Sequence, residues 1–369
     1  MKILFTYEYT FHKFGFGGGQ VIALNLMDSL SKMGHNVSIC CAGFDDNEYS
    51  KNKNYDFYFS GKYSKYFSSI QSAFHSLRLI KKIKPDLVCS LTGESFLISN
   101  YCKKNNIKFC NYICAPTLPI FKLNNPLISL RNIRYNLTHF FQFLGVIQSK
   151  FNFSISNYTY NQLIKNWNIN DKKVINIGCG VSNSFFNNKK TEQNRTIDVC
   201  TVGRIEFNQK PINISAKALK QTSIWNKWVI VGNGHDEKKF KILIKKYELN
   251  KKVEFLGKLN NSEISDLLSK TKVSVLVSTK ESFLITAYEA IASKNILIVS
   301  DVAQISYDFS SFSSVLILKN NSENEINKLL NFSLKNYDKL YKHTEDAKNY
   351  VLENYTWNKV AKKLINPFI

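Results

Sequence analysis

Ile197-Asp198-Val199-Cys200-Thr201-Val202-Gly203-Arg204 decides the reading of this chain. The run is apolar or β-branched at nearly every position, closes on a glycine and is followed by the helical pattern of Ile214 and Ala218, which describes a buried strand handing over to a helix. Five further runs repeat it: Trp228 to Val231, Val253 to Leu256, Val273 to Val277, Ile296 to Ser300 and Val315 to Leu318, with helical patterns between them. Such runs suit a parallel sheet covered by helices on both faces. Ligands of sheets of this kind sit beyond the carboxyl ends of the strands, so the residues just after each strand are where chemistry is expected.

The first half alternates in the same way. Ile3 to Thr6 reads as a strand, Gly15-Phe16-Gly17-Gly18-Gly19 as a loop, and Val21 to Met33 as a helix stopped by Gly34. Strands follow at Asn36 to Cys40, Pro85 to Ser90 and Lys108 to Cys114, with a helix at Leu77 to Lys84. From Pro119 to Phe153 the pattern blurs into an aromatic and basic stretch with no assignment. Another strand, Val174 to Ile177, ends at Gly178-Cys179-Gly180. The polar, unperiodic tract Asn187 to Arg195 is the expected linker, placing a first domain at 1–186 and a second from 196 onward. The fold class is therefore α/β, with two doubly wound sheets in tandem.

Length and composition agree. At about 150 residues per domain, 369 residues make two domains, and 44% apolar residues exclude disorder as the main state. Lysine and arginine total 50 against 28 acidic residues, so the formal charge of +22 favours anionic partners: membrane surfaces, nucleic acid or phosphorylated substrates. Only five of those cations are arginines, which argues against sequence-specific reading of nucleic acid. The eight cysteines form no C-x-x-C pair and no zinc-type spacing with histidine, and read as small buried apolar residues. Charge at Glu8 comes too early for a signal-peptide core, and no stretch approaches the roughly 18 apolar residues of a membrane span. The expectation is a cytoplasmic protein, soluble or peripheral at the inner face of a membrane.

Three strand ends carry candidate chemistry. Arg204 and Lys210 are spaced so that a guanidinium and an ammonium converge on one anion near a helix N-terminus; the same spacing also describes two solvated cations. Gly232-Asn233-Gly234-His235 permits close approach of backbone to a ligand, although a tight turn is the favoured reading. Glu281 falls in the loop after Val273 to Val277 and Glu289 in the next helix, whose first turn the intervening residues are expected to form. Two carboxylates at one strand mouth accept hydrogen bonds from a polyhydroxylated ligand, and the helix N-terminus between them holds phosphate; an alternative is two glutamates of which one stabilises the helix dipole.

Taken in order, the motifs Gly18-Gly19, Gly180-Val181, Val202-Gly203-Arg204 with Lys210, Val231-Gly232-Asn233-Gly234, Phe255-Leu256-Gly257, the pair Glu281 and Glu289, and Tyr355-Thr356-Trp357 give the chain a resemblance. It resembles the retaining glycosyltransferases of family 4, the group 1 glycosyl transferases with the GT-B fold. The resemblance implies two Rossmann-like domains facing a cleft: an acceptor-binding domain at 1–186, a nucleotide-sugar-binding domain at 196–350 after the linker 187–195, and a C-terminal helix at 351–369 crossing back. It implies that Arg204 and Lys210 bind the donor diphosphate and stabilise the charge developing there, that Glu289 receives the ribose hydroxyls, and that Glu281 holds hydroxyls of the donor sugar. Amides near Leu284, Ile285 and Thr286 would cradle phosphate, Leu256 would meet the base, and Gly18, Gly19, Gly203, Gly232 and Asn233 would line the donor site. No metal or other cofactor is implied.

The chain departs from the family pattern in places. Ser282 and Leu284 stand where glycines are usual around the first glutamate, Lys294 and Ile296 replace a common Gly and Pro, and Gln20 replaces an acidic residue. Cys114 stands where many relatives place a histidine near the donor sugar. A thiol is a weaker hydrogen-bonding and proton-handling group than imidazole.

Acceptors implied by the resemblance are sugars or lipid-linked glycans. The basic aromatic stretch Phe121 to Phe153, with Arg78, Lys81, Lys82 and Lys84 on a neighbouring helix, is an expected docking face for anionic lipid; a packed helical hairpin is the alternative. Nucleic acid is not an expected partner. The expected function is retaining transfer of a sugar from a nucleotide diphosphate sugar to a hydroxyl acceptor in polysaccharide, glycolipid or glycoprotein glycan assembly. The alternatives are a non-catalytic sugar-nucleotide or glycan-binding member or partner subunit, and an epimerase of the same fold.

Overall fold

The computed structural model describes residues 1–10, 18–43, 54–61, 67–114, 140–187, 194–303 and 305–369. They form two units, one of Met1–Gly180 with Trp357–Ile369 and one of Val181–Thr356.

The first unit holds β1 (Lys2–Thr10), α1 (Gly18–Lys32), β2 (Asn36–Ala42), β3 (Asp56–Phe59), α2 (Ser68–Ile83), β4 (Leu87–Ser90), α3 (Ser95–Lys104), β5 (Lys108–Ile113), a helical stretch α4 at 140–148, β6 (Phe151–Ser154) and β7 (Val174–Asn176). The sheet has seven strands in the order β3-β2-β1-β4-β5-β6-β7, all parallel. Ile3, Leu4 and Phe5 are buried although successive side chains point to opposite faces, because helices cover both.

Three elements differ from the sequence reading. The helix expected at Leu77 to Lys84 begins nine residues earlier, at Ser68. Ser68, Ser69, Ser72 and Ser76 all face the core, so small polar residues mask the helical period. β3 was not read because it is a short, half-exposed edge strand. β6 falls inside the unassigned stretch, of which 119–139 lie outside the described residues. Its Asn152 breaks the apolar run yet is fully buried, donating to the Val146 carbonyl (3.1 Å) and accepting from the Asn111 amide (2.8 Å). In the described end of the expected docking face Phe141 stacks on Phe96 and Phe143 meets Trp167 edge-on, while Ile147 and Lys150 are exposed.

The second unit holds β8 (Ile197–Val202), α5 (Ile212–Lys220), β9 (Trp228–Val231), α6 (Glu237–Lys246), β10 (Val253–Gly257), α7 (Asn261–Ser269), β11 (Thr271–Leu276), α8 (Ile285–Ala292), β12 (Ile296–Ser300) and β13 (Val315–Leu318), followed by helices that end at Asn354. Its six strands run parallel in the order β10-β9-β8-β11-β12-β13. Trp225 and Trp228 sit fully buried in its core with their indole N–H groups satisfied by the Leu219 carbonyl (2.9 Å) and Thr201 Oγ1 (3.1 Å). Arg195, also buried, donates to the carbonyls of Leu268 (3.2 Å), Thr271 and Ser293 (2.7 Å).

The units divide at Gly180/Val181 and again at Thr356/Trp357. The boundary therefore lies upstream of the polar tract 187–195, whose residues 188–193 lie outside the described set. Polarity marks an exposed tract, whereas the division follows packing. Val181 N–H donates to the Tyr355 carbonyl (2.6 Å) within the second unit, while Gly180 lies against Trp357 within the first. The last helix, α9 (Trp357–Ile365), accordingly belongs to the first unit.

Candidate functional site

The strand order of the second sheet reverses between β8 and β11, so the loops leaving their carboxyl ends diverge and leave room for a ligand. Backbone contacts lace the loops after β8, β9 and β10 together. Gly203 N–H donates to the Val231 carbonyl (2.9 Å), Gly232 N–H to that of Gly257 (2.6 Å) and Ile205 N–H to that of Asn233 (3.1 Å). A Cβ on Gly232 would stand 2.0 Å from the Gly203 carbonyl oxygen, and one on Gly234 would stand 2.3 Å from that of Ile205. The turn reading of these glycines is thus corrected: they allow one loop backbone to lie on another. Asp236 accepts the Phe207 N–H (3.0 Å), a bond that holds its carboxyl below the usual range.

The loop after β8 is also bound to the loop after β11. Thr279 N–H donates to the Gln209 carbonyl (2.9 Å), and the Gln209 amide donates to that of Lys280 (3.2 Å). Lys210 Nζ and Glu281 Oε1 pair at 2.9 Å, their side chains only 18% and 15% exposed. Arg204 is exposed, with one nitrogen 3.2 Å from Glu206 and another donating to Gln209 Oε1 (2.8 Å). Gln209, absent from the sequence-derived set, thereby aligns the guanidinium. Its only sequence signal is its place beside Lys210. A cavity of about 20 Å³ lies beneath Gly203, Arg204, Lys210 and Ser278.

Helix α8 starts at Ile285, so Ser282 to Leu284 remain in the loop and the first-turn expectation for them is corrected. Phe283 accounts for the difference: it leaves the loop to stack on Tyr288 at 4.3 Å between ring centres. No side chain caps α8, and Thr286 Oγ1 is buried with no hydrogen-bond partner among the described residues. The free N–H groups of this turn and the Thr286 hydroxyl suit a phosphate. Glu289, 8% exposed, makes no side-chain hydrogen bond or ion pair with a described residue, and burial pushes its carboxyl up to about 7. Leu256 is half-buried at the end of β10, and Asn233 is exposed beside it in sheet order.

Gly18, Gly19 and Cys114 belong to the first unit, at the start of α1 and just after β5. Cys114 is half-buried, and burial pushes its thiol up to about 12, so it stays protonated and neutral at pH 7. The same unit holds two buried carboxyls that sequence reasoning missed. Glu94 accepts from Thr6 Oγ1 (2.9 Å), Ser90 Oγ (3.0 Å) and Thr92 Oγ1, and burial raises its pKa; Glu8 accepts from Ser69 Oγ (2.7 Å). The available signal was Ser90-Leu91-Thr92-Gly93-Glu94 at a strand end, polar where a helix was about to start. Among the described residues no group of three or more His, Cys, Asp or Glu side chains is placed to share a metal ion, and no helix is long and apolar enough to cross a membrane.

Comparison with known proteins agrees with this geometry. The family described as Glycosyltransferase Family 4 matches residues 16–185, and that described as Glycosyl transferases group 1 matches residues 183–350. The O-antigen chain mannosyltransferase RfbU of Salmonella typhimurium is 27% identical over 212 residues, which are 53% of this chain and 58% of that protein. A glycosyltransferase from Rickettsia africae has the same fold, with a TM-score of 0.77 at 18% identity over 99% of this chain and 97% of that one. HepE of Anabaena, solved in complex with UDP-glucose, gives a TM-score of 0.76 at 12% identity over 100% and 99%.

Proposed function

Since the chain belongs to the group 1, family 4 glycosyltransferases with the GT-B fold, we propose that it transfers a hexosyl group, with retention, from a nucleotide diphosphate sugar to a hydroxyl acceptor in glycan assembly. The observation that carries this reading is that the carboxyl ends of the neighbouring strands β8 and β11 bring together the Lys210–Glu281 pair, the exposed guanidinium of Arg204, the uncapped start of α8 and the carboxyl of Glu289, which has no partner among the described residues. Each has a part to play on such a donor. Arg204 and Lys210 take the diphosphate and stabilise the negative charge that grows on it as the anomeric bond breaks, so no metal is called for. The first turn of α8, with Thr286, holds the same group from the other side. Glu289 accepts the two ribose hydroxyls, and Glu281 accepts sugar hydroxyls while orienting Lys210. The complex of HepE with UDP-glucose supports a nucleotide sugar as donor. The likeness to an O-antigen mannosyltransferase supports a lipid-borne glycan as acceptor, met by a cytoplasmic protein at the membrane face.

Thermal-shift and calorimetric panels of UDP-, GDP- and ADP-sugars test the donor. One nucleotide series is expected to bind, and Arg204→Ala and Lys210→Ala are expected to abolish that binding. Absence of binding by every series would overturn the proposal. Cys114 favours a second reading, a member that binds the nucleotide sugar without turning it over, because a neutral thiol replaces a proton-handling imidazole. Binding without transfer or hydrolysis across acceptor pools selects it.

A further inference from the structure

A cavity of about 530 Å³ opens in the first unit at the amino ends of β5 and β6, the end of that unit's own sheet opposite Cys114. Lys103, Lys108, Lys150 and Lys173 surround it, and no aspartate or glutamate is among its described lining residues. None of the four lysines is ion-paired with a described residue. Lys108 donates to the Phe368 carbonyl and Lys173 to that of Ile147 (3.0 Å), which fixes both ammonium groups while leaving protons on each for another acceptor. Lys103 and Lys150 are exposed, with Lys150 Nζ 5.4 Å above the Phe151 ring. Within this basic rim Ser99, Gln148 and Ser149 share the lining with an apolar group, Ile107, Phe109, Phe151 and Phe368, the last two packed edge to face at 5.1 Å.

Four like charges around one opening repel one another, and an anion in their midst relieves that repulsion. A fully soluble anion has no use for the aromatic floor. An amphiphile uses both, with its charge at the lysines and its hydrocarbon on the rings. The volume falls within the range of about 300–1,000 Å³ typical of small-molecule pockets. We propose that this cavity binds the head group and adjoining acyl segment of an anionic phospholipid, so that the amino edge of the first sheet is the part of the protein held at a membrane. The site shares no residue with the groups assigned to the donor, and its test does not depend on transferase activity.

Flotation of the full chain with phosphatidylcholine vesicles, with and without phosphatidylglycerol, measures the association. Lys103→Ala/Lys150→Ala removes two cations from the rim. Lys81→Ala/Lys82→Ala removes the same charge from α2, at two exposed residues that do not line the cavity. Each cation near an anionic surface contributes about fivefold in affinity, so the cavity variant is expected to bind phosphatidylglycerol vesicles about 30-fold more weakly than the parent. The α2 variant is expected to lose markedly less. Equal losses would assign the attraction to net charge and overturn the cavity. Soluble short-chain phosphatidylglycerol is expected to compete with the vesicles, and glycerol phosphate at the same concentration is not. Equal competition by both would make this a plain anion site and overturn the lipid assignment. Unchanged melting temperature and nucleotide binding in both variants keep a folding defect from imitating the result.

Discussion

Glu289 is the residue whose chemistry is most exposed to measurement. Its carboxyl has an ordinary value of 4.5 and lies at about 7 in the folded chain, because burial penalises the anion. Between those values the native state holds a proton that the unfolded state has released, so stability falls as pH rises from about 4.5 to 7. The full penalty, on the order of 3 kcal/mol, is present above pH 7. Glu289→Gln removes it: denaturation of the ligand-free protein should show the variant more stable than the parent at pH 8 and equal to it near pH 4. Nucleotide affinity should follow the opposite course, strengthening in the parent as pH passes through 7, since an ionised carboxylate is the better acceptor for hydroxyls. The variant should lose that dependence, and a pH-independent parent would sink the ribose assignment. Lys210→Ala leaves Glu281 half-buried without its cation, at a cost of about 2 kcal/mol, and should lower kcat/KM by about 100- to 1,000-fold. Adding Glu281→Gln should recover the stability, read by urea denaturation, but not the turnover. The sequence placed Arg204, Lys210 and Glu281 in loops after their strands and Glu289 in the helix that follows, as the structure has them. It could not show that Lys210 and Glu281 face each other or that Glu289 has no partner among the described residues, because those facts depend on how segments distant in sequence pack together.

At the scale of elements, the second sheet was legible because its strands are rich in β-branched and aliphatic residues and β8, β9 and β10 close on glycine, and β8, β9, β12 and β13 occupy the stretches read for them. The first sheet hid β6 behind the buried Asn152 and half of α2 behind core-facing serines, polar residues made affordable there by small size or by hydrogen bonds. The loop glycines separate a turn from a contact, and substitution tells them apart. Gly232 has φ +116° and no room for a side chain against the Gly203 carbonyl. Gly232→Ala is expected to cost about 3 kcal/mol or more, by displacing the β8 loop, and to weaken nucleotide binding with it. Gly18, where a Cβ would meet no atom of a described residue within 4 Å, is the contrast. Gly18→Ala should keep or raise stability, by up to about 1 kcal/mol, since it lies in α1 and alanine is the better helix former. Chemical denaturation of the pair checks both, and a mild Gly232→Ala would mean that the loops are not locked by this contact.

Across the whole molecule, the net charge of +22 says little about the fold, because its lysines are spread over both units and many carry single surface ion pairs such as Lys227 with Glu254 (2.8 Å) and Lys241 with Glu237 (2.7 Å). The path of the chain matters more. Trp357 returns to the first unit, 6% exposed, and its indole occupies the space a side chain at position 180 would need: a Cβ on Gly180 would lie 2.3 Å from the ring. The sequence marked Gly178-Cys179-Gly180 as a strand end; the indole, 177 residues further on, is the reason its last member must be glycine. Trp357→Ala should therefore cost about 3–5 kcal/mol, the usual loss for a large aromatic side chain taken from a packed site. That loss should be local to one unit. Native-state hydrogen exchange should show amides of residues 1–180 and 358–369 losing protection while those of 181–356 keep theirs, and nucleotide binding should persist because every donor group assigned to the second unit stays in place. Gly180→Ala should reproduce the pattern from the other side of the contact. If protection fell equally in both units, the returning helix would be stabilising the molecule as a whole, and the division of the chain at Gly180 and Thr356 would have no energetic meaning.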